Sequence, residues 1–219
     1  MATTRDLNGA IVAVVGATGG LGAPIVDALR ARGATVVRAG RSRDVDVTVD
    51  LRDSRSGESV VSHAMEHHGR LDGVIVAAGI VAFGDIGSHD DVVVEELFLT
   101  NAMGPMWLAA RVEQALTDTA GFFVNISGVV AETPMPGMAA YSASKAAASA
   151  ALLALGKEWR RRKIAVTDVR PPHTETGLAT RPLAGSAPKM PEGLDPAVVA
   201  ERIVVAIEAG EREVAGSGF

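Results

Sequence analysis

The stretch Ile11-Val-Ala-Val-Val-Gly16-Ala-Thr-Gly-Gly20-Leu-Gly22 decides how the rest of the chain is read. Ile11–Val15 is apolar at every position and mostly β-branched, the composition of a strand buried on both faces. The glycines after it allow a sharp turn and let the backbone approach a ligand closely. A helical segment follows over about Gly20–Arg32. Strand, glycine turn and helix in this order make a seat for a pyrophosphate, whose charge the helix N-terminus stabilises. The spacing is G-x-x-x-G-x-G rather than G-x-G-x-x-G.

The same alternation continues outward. Thr35–Val37, a helix near Arg55–His68, Gly73–Ala77, a helix near Asp91–Thr117, Gly121–Ile126, a helix over Tyr141–Arg161 and Ile164–Val169 follow in turn. Near-continuously apolar strands alternating with helices predict an α/β fold, a Rossmann-type doubly wound parallel β-sheet flanked by helices. Gly33 and Gly69 fit the left-handed residue that closes a helix. Six prolines between Pro171 and Pro196 forbid a continuous helix there. That segment predicts a loop over the carboxyl edge of the sheet, with a substrate loop at approximately 173–195, before a last helix near Pro196–Ala209. With 219 residues, no internal repeat and no linker, a single domain over 1–219 is expected.

Composition narrows the function. Hydrophobic residues make up 47% and charged residues 21%, so the chain can bury a core. A net charge of −5 speaks against a phosphate-backbone ligand, and no nucleic acid is expected. The one basic cluster, Arg160–Lys163, falls at a predicted helix end, where cations oppose the dipole. The absence of cysteine removes disulfides and thiolate chemistry together. Met1–Gly9 has no apolar leader core and no run of about 18 apolar residues exists, so no membrane association and a cytoplasmic location are expected. His63 and His67 have a metal-compatible spacing but no convincing partner and read as a solvated face, so no metal is expected.

The second strand ends at Val37-Arg-Ala-Gly40-Arg41-Ser42, where a dinucleotide fold meets the adenosine ribose. An acid there would repel a 2′-phosphate, whereas an arginine favours it. Arg41 and Ser42 therefore predict NADP(H) as the preferred cofactor, with NAD(H) possible.

Tyr141-Ser-Ala-Ser-Lys145 opens an Ala-rich helix, with Tyr141 and Lys145 one turn apart on one face. A free phenol titrates at about 10, and a neighbouring ammonium favours its phenolate. Tyr141 so placed can act as general acid toward a carbonyl oxygen or general base toward an alcohol. Such pairs also occur on solvated helices, and it is the glycine turn that makes the chemical reading the stronger one.

Together, Gly16–Gly22, Tyr141, Lys145 and the loop around Thr176 resemble the classical short-chain dehydrogenase/reductases over essentially the whole chain. The resemblance implies that Tyr141 and Lys145 are catalytic, that Lys145 also binds the nicotinamide ribose, that an upstream serine matched by Ser127 polarises the substrate oxygen, and that Asn101 belongs to the proton relay. It assigns Gly16, Thr18, Gly20, Leu21 and Gly22 to the pyrophosphate, Asp50 and Leu51 to the adenine, and Ala78 and Gly79 to the segment after the fourth strand. Pro171, Thr174 and Thr176 of Arg170-Pro-Pro-His-Thr-Glu-Thr176 match the carboxamide-binding loop, with Pro172 in place of the family's glycine. The family's asparagine after the fourth strand is missing from Val76-Ala77-Ala78-Gly79. Ser127 lies one residue farther from Tyr141 than the family interval, and Gly128 occupies the usual position. Either the loop Gly128–Ala140 absorbs that residue or Ser127 points elsewhere.

The expected function is an NADPH-dependent oxidoreductase, a carbonyl reductase taking a ketone or aldehyde to an alcohol or the reverse. The alternative is a non-catalytic cofactor-sensing or scaffold protein on the same fold. A sugar-nucleotide epimerase or dehydratase would need more chain than follows Thr176. The partner is a small-molecule carbonyl or alcohol, with His173 a candidate contact and Met103, Met106, Met135 and Met138 candidates for an adaptable apolar pocket. The many alanines after Tyr141 suggest close packing in a homodimer or homotetramer.

Overall fold

The computed structural model describes residues 4–219. β1 (Ile11–Val15) is buried at every position because it pairs in parallel with β2 (Thr35–Gly40) on one side and β4 (Gly73–Val76) on the other. β3 (Val47–Thr48) extends the sheet beyond β2. β5 (Phe122–Ile126), β6 (Ala165–Val169) and β7 (Glu213–Val214) extend it beyond β4, giving seven parallel strands in the order β3-β2-β1-β4-β5-β6-β7. The strand order reverses between β1 and β4, which opens a crevice at their carboxyl ends.

Both faces of the sheet are covered. On one face α1 (Gly22–Ala31) and α6 (Pro196–Ala209) pack on Val12, Val14, Ile75 and Val124. On the other, α2 (Ser56–His68), α4 (Gly104–Thr119) and α5 (Ala139–Glu158) pack on Ala13, Val15, Val74 and Phe123. This two-sided burial is the physical reason why the central strands carry no polar face. Asp195 caps α6, its carboxylate accepting from the Ala197 amide at 2.7 Å. Gly33 and Gly69 adopt φ of +79° and +72°, the left-handed closures expected for α1 and α2.

Several boundaries differ from the sequence expectation. β2 runs on to Gly40, and β6 begins at Ala165. The two-residue edge strands β3 and β7 were not foreseen, since so short a strand carries no period. The single helix expected over Asp91–Thr117 is interrupted by a wide π turn at Leu99–Met103, which separates α3 (Asp91–Phe98) from α4. Pro171–Asp195 forms no helix, as its prolines require, and a lone bridge between Thr174 and Leu194 ties its two ends together. Among the described residues no helix is long and apolar enough to cross a membrane.

Trp159 closes the core beneath α5, 1% exposed and edge-on to Phe123 with ring centroids 6.1 Å apart. Trp159→Ala removes the largest buried side chain of that face. It should lower unfolding stability by about 3–5 kcal/mol in a denaturant titration.

Candidate active site

A cleft of about 690 Å³ runs along the carboxyl ends of β1, β2, β4 and β5. At one end lie Gly40, Arg41, Ser42, Asp50 and Leu51; in the middle lies the turn Gly16–Leu21; at the other end lie Tyr141 and Lys145. Thr18, Gly20, Ala78, Gly79, Pro171, Thr174, Thr176 and Ser127 also line it, so the segments singled out in the sequence share one cavity.

Glycine in the turn is required first by packing. Gly16 has φ of +89°, and a Cβ there would stand 2.7 Å from the Ala78 amide nitrogen. A Cβ on Gly20 would collide with the Thr176 carbonyl. These close approaches bring the turn, the segment after β4 and the loop after β6 against one another. The result is a narrow groove of backbone beside the N-terminus of α1, the donor arrangement that suits a dinucleotide's phosphates.

At the β2 end, Arg38 is engaged by Asp44 and Asp46. Arg41 is exposed in the cleft, and no carboxylate lies within ion-pair distance of it among the described residues. Asp50 is held by Arg52, whose guanidinium donates to it at 2.6 Å and keeps its pKa below the ordinary carboxylate value. Arg41 acts on Asp50 only at longer range, and Arg52 already pairs with that acid, so this end is receptive to an anion.

At the opposite end, α5 carries Tyr141 and Lys145 into the cleft. Burial lowers the Lys145 pKa to about 8, opposed by the negative charge of Asp168. Its Nζ donates to the Ile126 carbonyl at 2.8 Å. Burial pushes the Tyr141 phenol up to about 12. The expectation that the ammonium would favour the phenolate is thus outweighed here by desolvation. Tyr141 packs among Val81, Phe83, Val130, Met138, Leu178 and Ala179, an apolar wall.

Asn101 sits in the π turn. Its Nδ2 donates to the Ile80 carbonyl at 2.9 Å and to Ser144 Oγ at 3.1 Å, while its Oδ1 accepts from the Ile80 amide at 3.0 Å. It therefore ties the segment after β4 to α5. A Cβ on Gly79 would stand 3.2 Å from both Asn101 Oδ1 and Lys145 Nζ, so Gly79 is what lets each of these groups approach the segment after β4.

Ser127 lies at the inner edge of the cleft. Its side chain is buried, and its hydroxyl donates to Asp168 Oδ1 at 2.6 Å. Gly128, at φ of +87°, occupies the lip of the cleft without a side chain. The hydroxyl assigned by resemblance to the substrate oxygen is thus engaged by a carboxylate of the fold.

Met135 and Met138 line the cleft as expected, whereas Met103 and Met106 are exposed elsewhere. His173 lines it too, with Nε2 3.2 Å from Glu175 Oε1. His63 and His67 stack with centroids 4.2 Å apart, and among the described residues no cluster suited to a metal ion occurs. Sequence reading missed Phe83, Val130 and Leu178 of the apolar wall, which carry no local signature. It also missed Asp168, whose signal was available as a charged residue inside the strand Ala165–Val169.

A family model for short chain dehydrogenase matches residues 10–184. The chain belongs to the short-chain dehydrogenase family. It is 32% identical over 198 residues to an uncharacterized oxidoreductase of Methylorubrum extorquens, covering 82% of this chain and 79% of that one. Its fold is similar to that of a short-chain dehydrogenase from Burkholderia cenocepacia solved with NADP, with a TM-score of 0.86 at 24% identity over 96% of this chain and 89% of that one. A 3-ketoacyl-(acyl-carrier-protein) reductase from Brucella melitensis solved with NADH gives the same TM-score at 21% identity, covering 97% and 99%.

Within this short-chain dehydrogenase, Tyr141 is the only tyrosine, so its ionisation can be followed by absorbance without interference from a second phenol. At about pH 10, where a free phenol is half ionised, the native protein should show almost no phenolate signal. Half-ionisation at that pH would show that burial does not control this group.

Proposed function

We propose that the chain is an NADP(H)-dependent carbonyl reductase acting on a ketone or aldehyde, or on the alcohol in reverse. The observation that carries this reading is the single cleft that joins Arg41, which has no ion-pair partner among the described residues, and the glycine turn to Tyr141 and Lys145. A bound nicotinamide would supply or accept the hydride. Gly16, Thr18, Gly20, Leu21 and Gly22 would hold its pyrophosphate, Asp50 and Leu51 its adenine side, and Pro171, Thr174 and Thr176 its carboxamide.

The chain's own part is the proton. With its pKa pushed up to about 12, Tyr141 is protonated at neutral pH and can donate its phenolic O–H to a carbonyl oxygen that is gaining charge. Lys145, cationic below about pH 8, stabilises the negative charge left on the phenol oxygen. The ammonium is lost as pH rises through about 8, so turnover in the reductive direction should fall on the alkaline side of that value, as a pH profile of kcat/KM would show. Because the Ser127 hydroxyl is engaged by Asp168, oxygen polarisation falls chiefly to Tyr141. The wall of Val81, Phe83, Met138 and Leu178 suits a substrate that is apolar beside its carbonyl.

Tyr141→Phe should lower turnover about 10²–10⁴-fold while NADPH binding, followed by fluorescence, persists. Retained turnover would defeat the mechanism. The inward-turned Ser127 favours a second reading, a cofactor-binding protein without chemistry, and this predicts NADPH binding with no oxidation over a panel of carbonyl compounds. Arg41→Ala should lower kcat/KM with NADPH roughly ten- to a hundredfold and leave the value with NADH nearly unchanged. Equal losses with both cofactors would remove Arg41 as the discriminating group.

A further inference from the structure

Behind Lys145, three buried polar side chains from three segments meet. Asp168 of β6 is 1% exposed. Ser127, just past β5, donates to its Oδ1 at 2.6 Å, and Ser149 of α5 donates to its Oδ2 at 2.6 Å. Strand alternation puts Val166, Asp168 and Arg170 on the face toward α5. Helical spacing puts Ser142, Lys145, Ser149 and Leu152 on the buried stripe of α5. Both carboxylate oxygens therefore accept from hydroxyl groups, an arrangement that favours the ionised acid against the cost of burial.

The question is which cation this anion serves. Arg170 Nε lies 3.7 Å from Asp168 Oδ2. Arg170 has nearer partners, however: Glu132 at 2.8 Å from its Nε and Glu213 at 2.6 Å from its Nη2. Arg170 acts on Asp168 as well, ahead of Lys145, but its charge is shared with these two glutamates. Lys145 is in the opposite position. It is 6% exposed, and its hydrogen-bond acceptor is the neutral carbonyl of Ile126. Ile126 directly precedes Ser127, and Ser149 lies one helical turn beyond Lys145, so the Asp168 carboxylate is anchored by the immediate neighbours of the ammonium on both elements. Tyr141 stands one turn before Lys145 on its own helix, and Asp168 of β6, though not in direct ion-pair contact, raises the lysine's pKa through its charge. Facing Asp168 are Lys145 and Arg170, the latter shared with Glu132 and Glu213.

We propose that Asp168, oriented by Ser127 and Ser149, is the buried counter-charge of Lys145 and a positioning residue for proton transfer. It touches neither substrate nor cofactor and acts on Tyr141 through the lysine. This reassigns Ser127 from the substrate side of the site to the support of that carboxylate. The kinetic consequence rests on the reductase reading, whereas the charge pairing stands without it.

The chain has four lysines, so the Lys145 side chain can be followed in a nuclear magnetic resonance titration of isotope-labelled lysine, assigned through Lys145→Met. In Asp168→Asn the Lys145 midpoint should move down by about one pH unit or more, because an opposing charge is lost. The alkaline limb of kcat/KM should move down with it. An unchanged Lys145 midpoint in folded Asp168→Asn protein would overturn the proposal, whatever happens to activity. A shifted midpoint in a protein without turnover on any carbonyl would uphold the pairing and reject the reductase reading instead. If Asp168→Asn does not accumulate in folded form, Asp168→Ser keeps a hydroxyl for Ser127 and Ser149 and carries the same test with the same two outcomes.

Discussion

Helices cover both faces of the central strands, so the parallel sheet offers water little more than its strand ends. Everything with chemical potential in this chain is consequently crowded onto the carboxyl ends. Gly16 follows β1, Gly79 follows β4, Ser127 follows β5 and Pro171 follows β6. The reversal of strand order between β1 and β4 keeps the helices apart at that point and leaves a cleft between them. Close backbone contact then sets its shape. The Thr176 carbonyl comes against Gly20 and the Ala78 amide against Gly16, contacts that any side chain at those glycines would prevent.

Burial around Tyr141 and behind it pushes three ionisable groups toward their neutral forms. The Tyr141 phenol goes up, the Lys145 ammonium goes down and the Asp168 carboxyl goes up, all chiefly because burial penalises charge. For the phenol that is an advantage in reduction, since a donor must still hold its proton at neutral pH. For the lysine it is a liability, offset by the Ile126 carbonyl and by the neighbouring anion. A site of this kind works through the balance between desolvation and pairing, and the balance belongs to the group of residues as a whole.

Parts of this arrangement were legible in the sequence because they are local. A fully apolar strand followed by glycines and a helix states its own fold, and Tyr141 with Lys145 states a helical face. Proline content identified the loop after β6. Other parts have no local expression. Two-residue strands such as β3 and β7 take their identity from a neighbour's hydrogen bonds. The π turn at Leu99–Met103 surrounds an asparagine whose amide is tied to Ile80 and Ser144, distant in sequence.

The sequence by itself determined the layer order of the fold, the glycine turn after β1, the pairing of Tyr141 with Lys145 and the cation at Arg41, each readable from neighbours in the chain. Only the tertiary structure decided where Ser127 points, because its hydroxyl chooses between a cleft and a carboxylate 41 residues away. The same holds for the charge state of Tyr141 and Lys145. Spacing along a helix brings two groups together, but how far each is removed from water is fixed by the strands and loops that pack over them.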